Sequence, residues 1–187
     1  YRLGLGTIFP ARHDRRAIWE TANMSEALKK SFTAVFDCEA RAVGKMRSEM
    51  TVHWREPRQQ SWEMAADETG FQGGDGTAPV PMAYFMAGLT SCLMTQLRAF
   101  ARKMRIDVRD AVVNCHAEWE ATVAGRDPYV AAPKGVRMDI EFDSDASLED
   151  RLRLIEAAKK GCFIEAIVRE PTFVAHRLKT EDGWIDT

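Results

Sequence analysis

The chain has 187 residues, a length that fits one domain able to bury roughly 70% of the surface its unfolded form exposes. With 45% hydrophobic and 29% charged residues, 12 Gly and 7 Pro, the composition is that of an ordinary globular protein and excludes a low-complexity or disordered chain. The 26 Lys and Arg nearly cancel the 28 Asp and Glu, giving a formal net charge of -2, which argues against a dedicated nucleic-acid or anionic-membrane binder, since both need a cationic excess. No apolar run approaches the roughly 18 residues of a transmembrane helix. Residues 1 to 20 carry Arg12, Arg15 and Arg16 and lack the apolar core of a signal peptide, so the expected location is the cytoplasm.

Residues 1–31 are mixed and polar and read as an appendage, with room for one short helix between Thr21 and Lys30; residues 32–187 read as the domain. From Phe32 the pattern becomes period two. Phe32, Ala34, Phe36, Cys38, Ala40 and Ala42 alternate with more polar neighbours, which predicts a half-buried strand with Cys38 facing the core. Gly44-Lys45 suits a turn into a second strand, Met46 to Trp54, and Gln60 to Ala65 predicts a third, so the start of the domain reads as an antiparallel meander. Gly70 to Pro81, with four glycines and two prolines, must be loop.

The next stretch predicts a long helix from Pro81 to about Arg105. Met82, Phe85, Met86, Leu89, Leu93, Leu97, Phe100 and Met104 recur at helical spacing, and Pro81 fits the first turn, where its missing N–H costs nothing. Its first half is apolar or small on every side, whereas Arg98, Arg102, Lys103 and Arg105 crowd its end, so the helix is expected to be buried at its start and wet at its finish. Val113 to Ala121 alternates as a one-faced strand with Cys115 inward, Arg126 to Gly135 reads as loop, and Val136 to Phe142 as a further strand. Ser147-Leu-Glu-Asp150 resembles a capping box opening a helix through Lys160, and Gly161 sits where a glycine would end it. Cys162 to Val168 then starts a new helical turn, and Pro171 to Leu178 closes as a strand. The fold class is α+β.

Four cysteines, Cys38, Cys92, Cys115 and Cys162, show no CxxC pair, and His13, His53, His116 and His176 do not cluster at ligand spacing, so no metal site is expected. Cys38 and Cys115, on apolar strand faces, read as small hydrophobes. His116 is no partner for Cys115, because adjacent strand residues point to opposite faces. Cys92 lies in the apolar half of the long helix, one turn after Gly88, whose missing side chain leaves room beside the sulfur; taken alone it also fits a core thiol at a close helix contact. Cys162 stands at a helix start, where free N–H groups favour a thiolate, yet an inert terminal thiol fits as well.

The run Gly73-Gly-Asp-Gly-Thr-Ala-Pro-Val-Pro81, a helix carrying Gly88-Leu-Thr-Ser-Cys92, and an isolated Cys162 after two strands and a helix resemble the OsmC/Ohr family of thiol-dependent hydroperoxide reductases over roughly residues 32–178. The resemblance implies an OsmC-like fold, with antiparallel sheets wrapped around two long central helices in an intertwined homodimer. It makes Cys92 the peroxidatic and Cys162 the resolving thiol. It further implies a hydroperoxide substrate, an external dithiol reductant and no cofactor.

A peroxide bond is split by a thiolate, and a thiol in apolar surroundings resists ionisation, so a cation must approach Cys92. The family takes an Arg from the turn after the first strand and orients it with a Glu just after the helix-opening proline. Here that turn offers Lys45 or Arg47, with Arg41 inside the strand the weaker choice. Met82 and Ala83 stand where the Glu is expected, and Phe163 follows Cys162 where the family has Pro. Met82, Phe85, Met86 and Gly88 are therefore the expected substrate-pocket residues, with Trp119 beside them. Two functions follow as expectations: a peroxidase acting through Cys92 and Cys162, or a non-peroxidatic relative binding a small apolar ligand or serving other thiol chemistry.

Overall fold

The computed structural model describes residues 31–170 and 174–187; the helix considered between Thr21 and Lys30 lies outside them. Strands β1 (Val35–Val43), β2 (Arg47–Glu56) and β3 (Gln60–Ala66) form one sheet in the order β1-β2-β3. The three-residue connections leave no room for a crossover, so neighbours run antiparallel. The expectation that Cys38 faces a core is corrected: Cys38 is exposed, as is all of β1 beyond half-buried Val35. The alternation of small and apolar residues marks a face fit to be covered, and on it Phe36 stacks on Trp54, centroids 5.5 Å apart.

The chain divides into two compact units, residues 31–41 with Glu49–Met64, and Ala42–Ser48 with Ala65–Thr187. The second contains the long helix α1 (Pro81–Met104), the antiparallel pair β4 (Arg109–Thr122) and β5 (Val130–Asp143), helices α2 (Leu148–Gly161) and α3 (Phe163–Arg169), and a hairpin of β6 (Arg177–Thr180) and β7 (Gly183–Asp186). Pro81 opens α1 as expected, and Arg105 ends it in the left-handed region at φ 57°. Leu89, Leu93, Leu97 and Ala101 recur every fourth residue and are its buried residues. Leu93, Leu97 and Ala101 join Ile106, Val113, Leu154, Ala158 and Cys162 in the core. Each such leucine contributes about 1.5–3 kcal/mol by burial.

Burial along α1 meets the expectation at its end and departs from it at its start. Arg98, Arg102, Lys103 and Arg105 are exposed, but so are Pro81, Met82 and Ala83, and the buried stripe runs evenly from Leu89 to Ala101 where α1 packs with α2, α3 and β4. The expected loop over Arg126 to Gly135 is also shorter than read: β5 already begins at Val130 and pairs with β4 from Thr122↔Val130 to Arg109↔Asp143. Pro133 and Gly135 misled the reading, yet both are tolerated in a strand of a two-stranded sheet, whose outer edge needs no N–H.

Ser147 caps α2 by accepting the Asp150 N–H at 3.1 Å, as the capping pattern predicts. Gly161, expected just past the helix end, is its last helical residue. A Cβ there would stand 2.6 Å from the Phe100 ring, so the glycine permits the close approach of α1. The strand expected over Pro171 to Leu178 begins only at Arg177; residues 171–173 lie outside the described set. No helix among the described residues is long and apolar enough to cross a membrane.

Candidate active site

The helix crossing brings two of the four free thiols together. Cys92, half-buried on α1, packs against the core that contains Cys162, near enough to help push the Cys162 thiol up. Cys162 is 1% exposed and serves two helices at once: its N–H donates to Lys159 O at 3.3 Å to close α2, and its Sγ accepts the Glu165 N–H at 3.5 Å to open α3. The expectation that this helix start favours a thiolate is overturned by burial. Desolvation pushes the thiol up to about 11; the Glu165 N–H bond opposes this, and the neighbouring Cys92 and the Glu165 charge add to it. The room expected beside Gly88 is filled, since a Cβ there would meet Ile164 Cδ1 of α3 at 3.3 Å.

Lys45 and Arg47 are both held by the glycine-rich loop that enters α1. Lys45 Nζ pairs with Asp75 Oδ1 at 2.8 Å, and Arg47 donates to Thr77 Oγ1 at 2.9 Å and Thr77 O at 3.2 Å. Arg41 is exposed on β1 and pairs with Glu39. The loop itself is organised by Asp67, a residue the sequence reading missed. Its buried carboxylate accepts the Thr77 N–H at 2.9 Å, the Thr77 hydroxyl at 2.7 Å and the Glu68 N–H at 2.8 Å, and these bonds, those of Thr77 foremost, hold the carboxyl below the usual carboxylate range. Tyr84 secures the first turn of α1 by donating to Ala65 O at 2.6 Å.

The family model for OsmC-like protein matches residues 74–177, more than half of the chain, including both paired thiols. An OsmC-like hydroperoxide resistance protein from Jannaschia sp. CCS1 is 42% identical, with 82% of this chain and 98% of that one covered and a TM-score of 0.57. The chain belongs to the OsmC-like family. The α+β fold is shared at lower identity with OsmC of Legionella pneumophila, an organic hydroperoxide resistance protein, at 18% identity, 75% and 92% coverage and a TM-score of 0.51. It is shared too with an OsmC-like protein of Mycoplasma pneumoniae, at 16% identity, 76% and 89% coverage and a TM-score of 0.52. No curated protein matches the sequence.

In this OsmC-like chain an apolar hollow of about 610 Å³ opens at the start of α1, lined by Phe71, Met82, Trp119, Val123, Tyr129 and Ala131 among others. Of the expected pocket residues, Met82 lines it and Phe85 braces its wall, meeting Trp119 edge-on at 5.9 Å. Met86 is half-buried, and Gly88 faces Ile164 instead. Phe71 and Tyr129 were missed because both sit in stretches read as loop.

The contrast between thiols is directly testable. Iodoacetamide at neutral pH is expected to label exposed Cys38 well before Cys162, which reacts only on unfolding or as the pH nears 11. Mass mapping that finds the two labelled at equal rates in the native protein would overturn this burial.

Proposed function

We propose that the protein is a thiol peroxidase for organic hydroperoxides, working in the cytoplasm as a homodimer. The Cys92 thiolate attacks the outer peroxide oxygen, the O–O bond breaks, an alcohol leaves, and Cys92 becomes a sulfenic acid. Cys162 then condenses with it to a disulfide and water, and an external dithiol restores both thiols. The single observation behind this reading is that Cys92 packs against the core that holds Cys162, although 70 positions separate them in sequence. The names of the Jannaschia and Legionella proteins, both hydroperoxide resistance proteins, support the substrate class.

Lys45 and Arg47, both tied to the glycine-rich loop that enters α1, are the candidates to hold the thiolate. The hollow beside Met82 accommodates an apolar tail: ten residues of helical rise separate Met82 from Cys92, about 15 Å. The dimer is supported by apolar side chains left exposed on the helices, among them Met82, Leu148, Leu152, Phe163 and Ile167.

Intact mass after one equivalent of cumene hydroperoxide tests the reading. Loss of two hydrogens mapped to Cys92 and Cys162 is the expected result, and native mass is expected at twice the single chain. An unchanged intact mass removes the peroxidase and leaves the second reading, a relative that binds an apolar ligand, which the Met82-lined hollow favours. A native mass of one chain removes the dimer.

A further inference from the structure

Cys162 and Glu165 occupy the first and fourth positions of a capping box, the arrangement in which the fourth residue's carboxylate normally reaches back to the N–H of the first. Half of the box is made: the Glu165 N–H donates to Cys162 Sγ at 3.5 Å. The other half is not, because the Cys162 N–H is already committed to Lys159 O at 3.3 Å. The Glu165 Oε2 atom is shielded from solvent and has no hydrogen-bond partner among the described residues. A buried acceptor without a donor is costly, on the order of 1–3 kcal/mol or more for a charged group, and it lies one helical turn from a thiol that must lose a proton. We infer that Glu165 is the proton relay for disulfide formation between Cys92 and Cys162.

The inference rests on the peroxidase reading and deepens it. After a hydroperoxide has oxidised Cys92 to the sulfenic acid, the Cys162 sulfur attacks the Cys92 sulfur and the S–O bond breaks. The Cys162 S–H proton passes to the Glu165 carboxylate and on to the departing hydroxide, which leaves as water, and Glu165 is again a carboxylate. The Cys92 sulfur is reduced and the Cys162 sulfur oxidised by one electron each, which balances the step. A relay is needed here because the resolving thiol is desolvated and held in its protonated form at neutral pH, as the burial of Cys162 and the nearby carboxylate both require.

Single-turnover kinetics of the full chain with cumene hydroperoxide tests this, with dimedone trapping the sulfenic acid and intact mass reporting the disulfide. Glu165→Gln is expected to form the Cys92 sulfenic acid at the wild-type rate but to close the disulfide about 10²-fold more slowly, the usual reach of a positioned acid–base group. Glu165→Asp, which keeps the carboxylate, is expected to fall between. Disulfide closure in Glu165→Gln at the wild-type rate would overturn the relay while leaving the peroxidase intact. Wild-type protein that gives neither dimedone adduct nor disulfide would overturn the peroxidase reading, and the relay with it. Should Glu165→Gln fail to fold, wild-type closure in heavy water decides: slowing supports the relay, and an unchanged rate overturns it.

Discussion

Cys92→Ser is expected to lower hydroperoxide turnover by about 10³-fold or more, as loss of an attacking nucleophile does, while Cys162→Ser supports a single rapid oxidation and then stalls. The asymmetry follows from the order of steps. A serine hydroxyl at position 92 cannot attack the peroxide, so no oxidised species forms. With Cys92 present and Cys162 absent, the sulfenic acid forms but has no partner thiol and climbs to the sulfinic acid with excess oxidant. Mass spectrometry after stoichiometric and then excess peroxide distinguishes the two: no oxygen added at residue 92 in the first variant, one and then two in the second. Both variants should fold. Serine at the half-buried position 92 disturbs little, and at position 162 it is a better N-cap than cysteine for the Glu165 N–H. Equal turnover by wild type and Cys92→Ser would defeat the assignment.

The fold was largely legible because the strongest signals are periodic and local. The helical repeat from Met82 to Met104, the capping serine at 147 and the glycine-proline loop each fix an element by its own chemistry, and α1 and α2 start at the residues those signals name. What failed was depth. Alternation tells which faces are apolar, not which are covered, so Cys38 and the first turn of α1 read as buried although Cys38 and Met82 are exposed among the described residues. Pro133 and Gly135 read as loop because the argument against proline in strands holds for central strands and not for edges. The thiol pair was legible only through the family resemblance, since no spacing rule connects residues 92 and 162. Asp67 and Glu165 were missed for a different reason. A carboxylate's role depends on which N–H groups around it are already taken, as the Cys162 N–H is taken by Lys159, and that is a tertiary property.

Gly74→Ala is expected to lower the melting temperature by roughly 3–10 °C, corresponding to about 1–3 kcal/mol of overpacking, whereas Gly88→Ala is expected to be neutral or mildly stabilising. Both positions are crowded, but by different atoms. A Cβ at position 74 would stand 1.9 Å from Glu68 O and 2.4 Å from its carbonyl carbon, so the clash is with backbone. That backbone is pinned: Gly76 N donates to Glu68 O at 3.0 Å, Gly74 N donates to Thr69 O at 3.0 Å, and Asp67 grips Thr77. Relief therefore requires the whole loop to shift, and with it Thr77, the residue that holds Arg47. At position 88 the neighbour is Ile164 Cδ1 at 3.3 Å, the free end of a side chain that yields by a few tenths of an ångström. Replacing a mid-helix glycine by alanine recovers up to about 1 kcal/mol of helix propensity, which offsets that adjustment. Thermal unfolding of the two variants against wild type measures the difference. Since the loop tethers Arg47, Gly74→Ala is also expected to slow sulfenic acid formation at Cys92, and a variant with unchanged melting and unchanged oxidation rate would show that the loop holds neither the fold nor the cation.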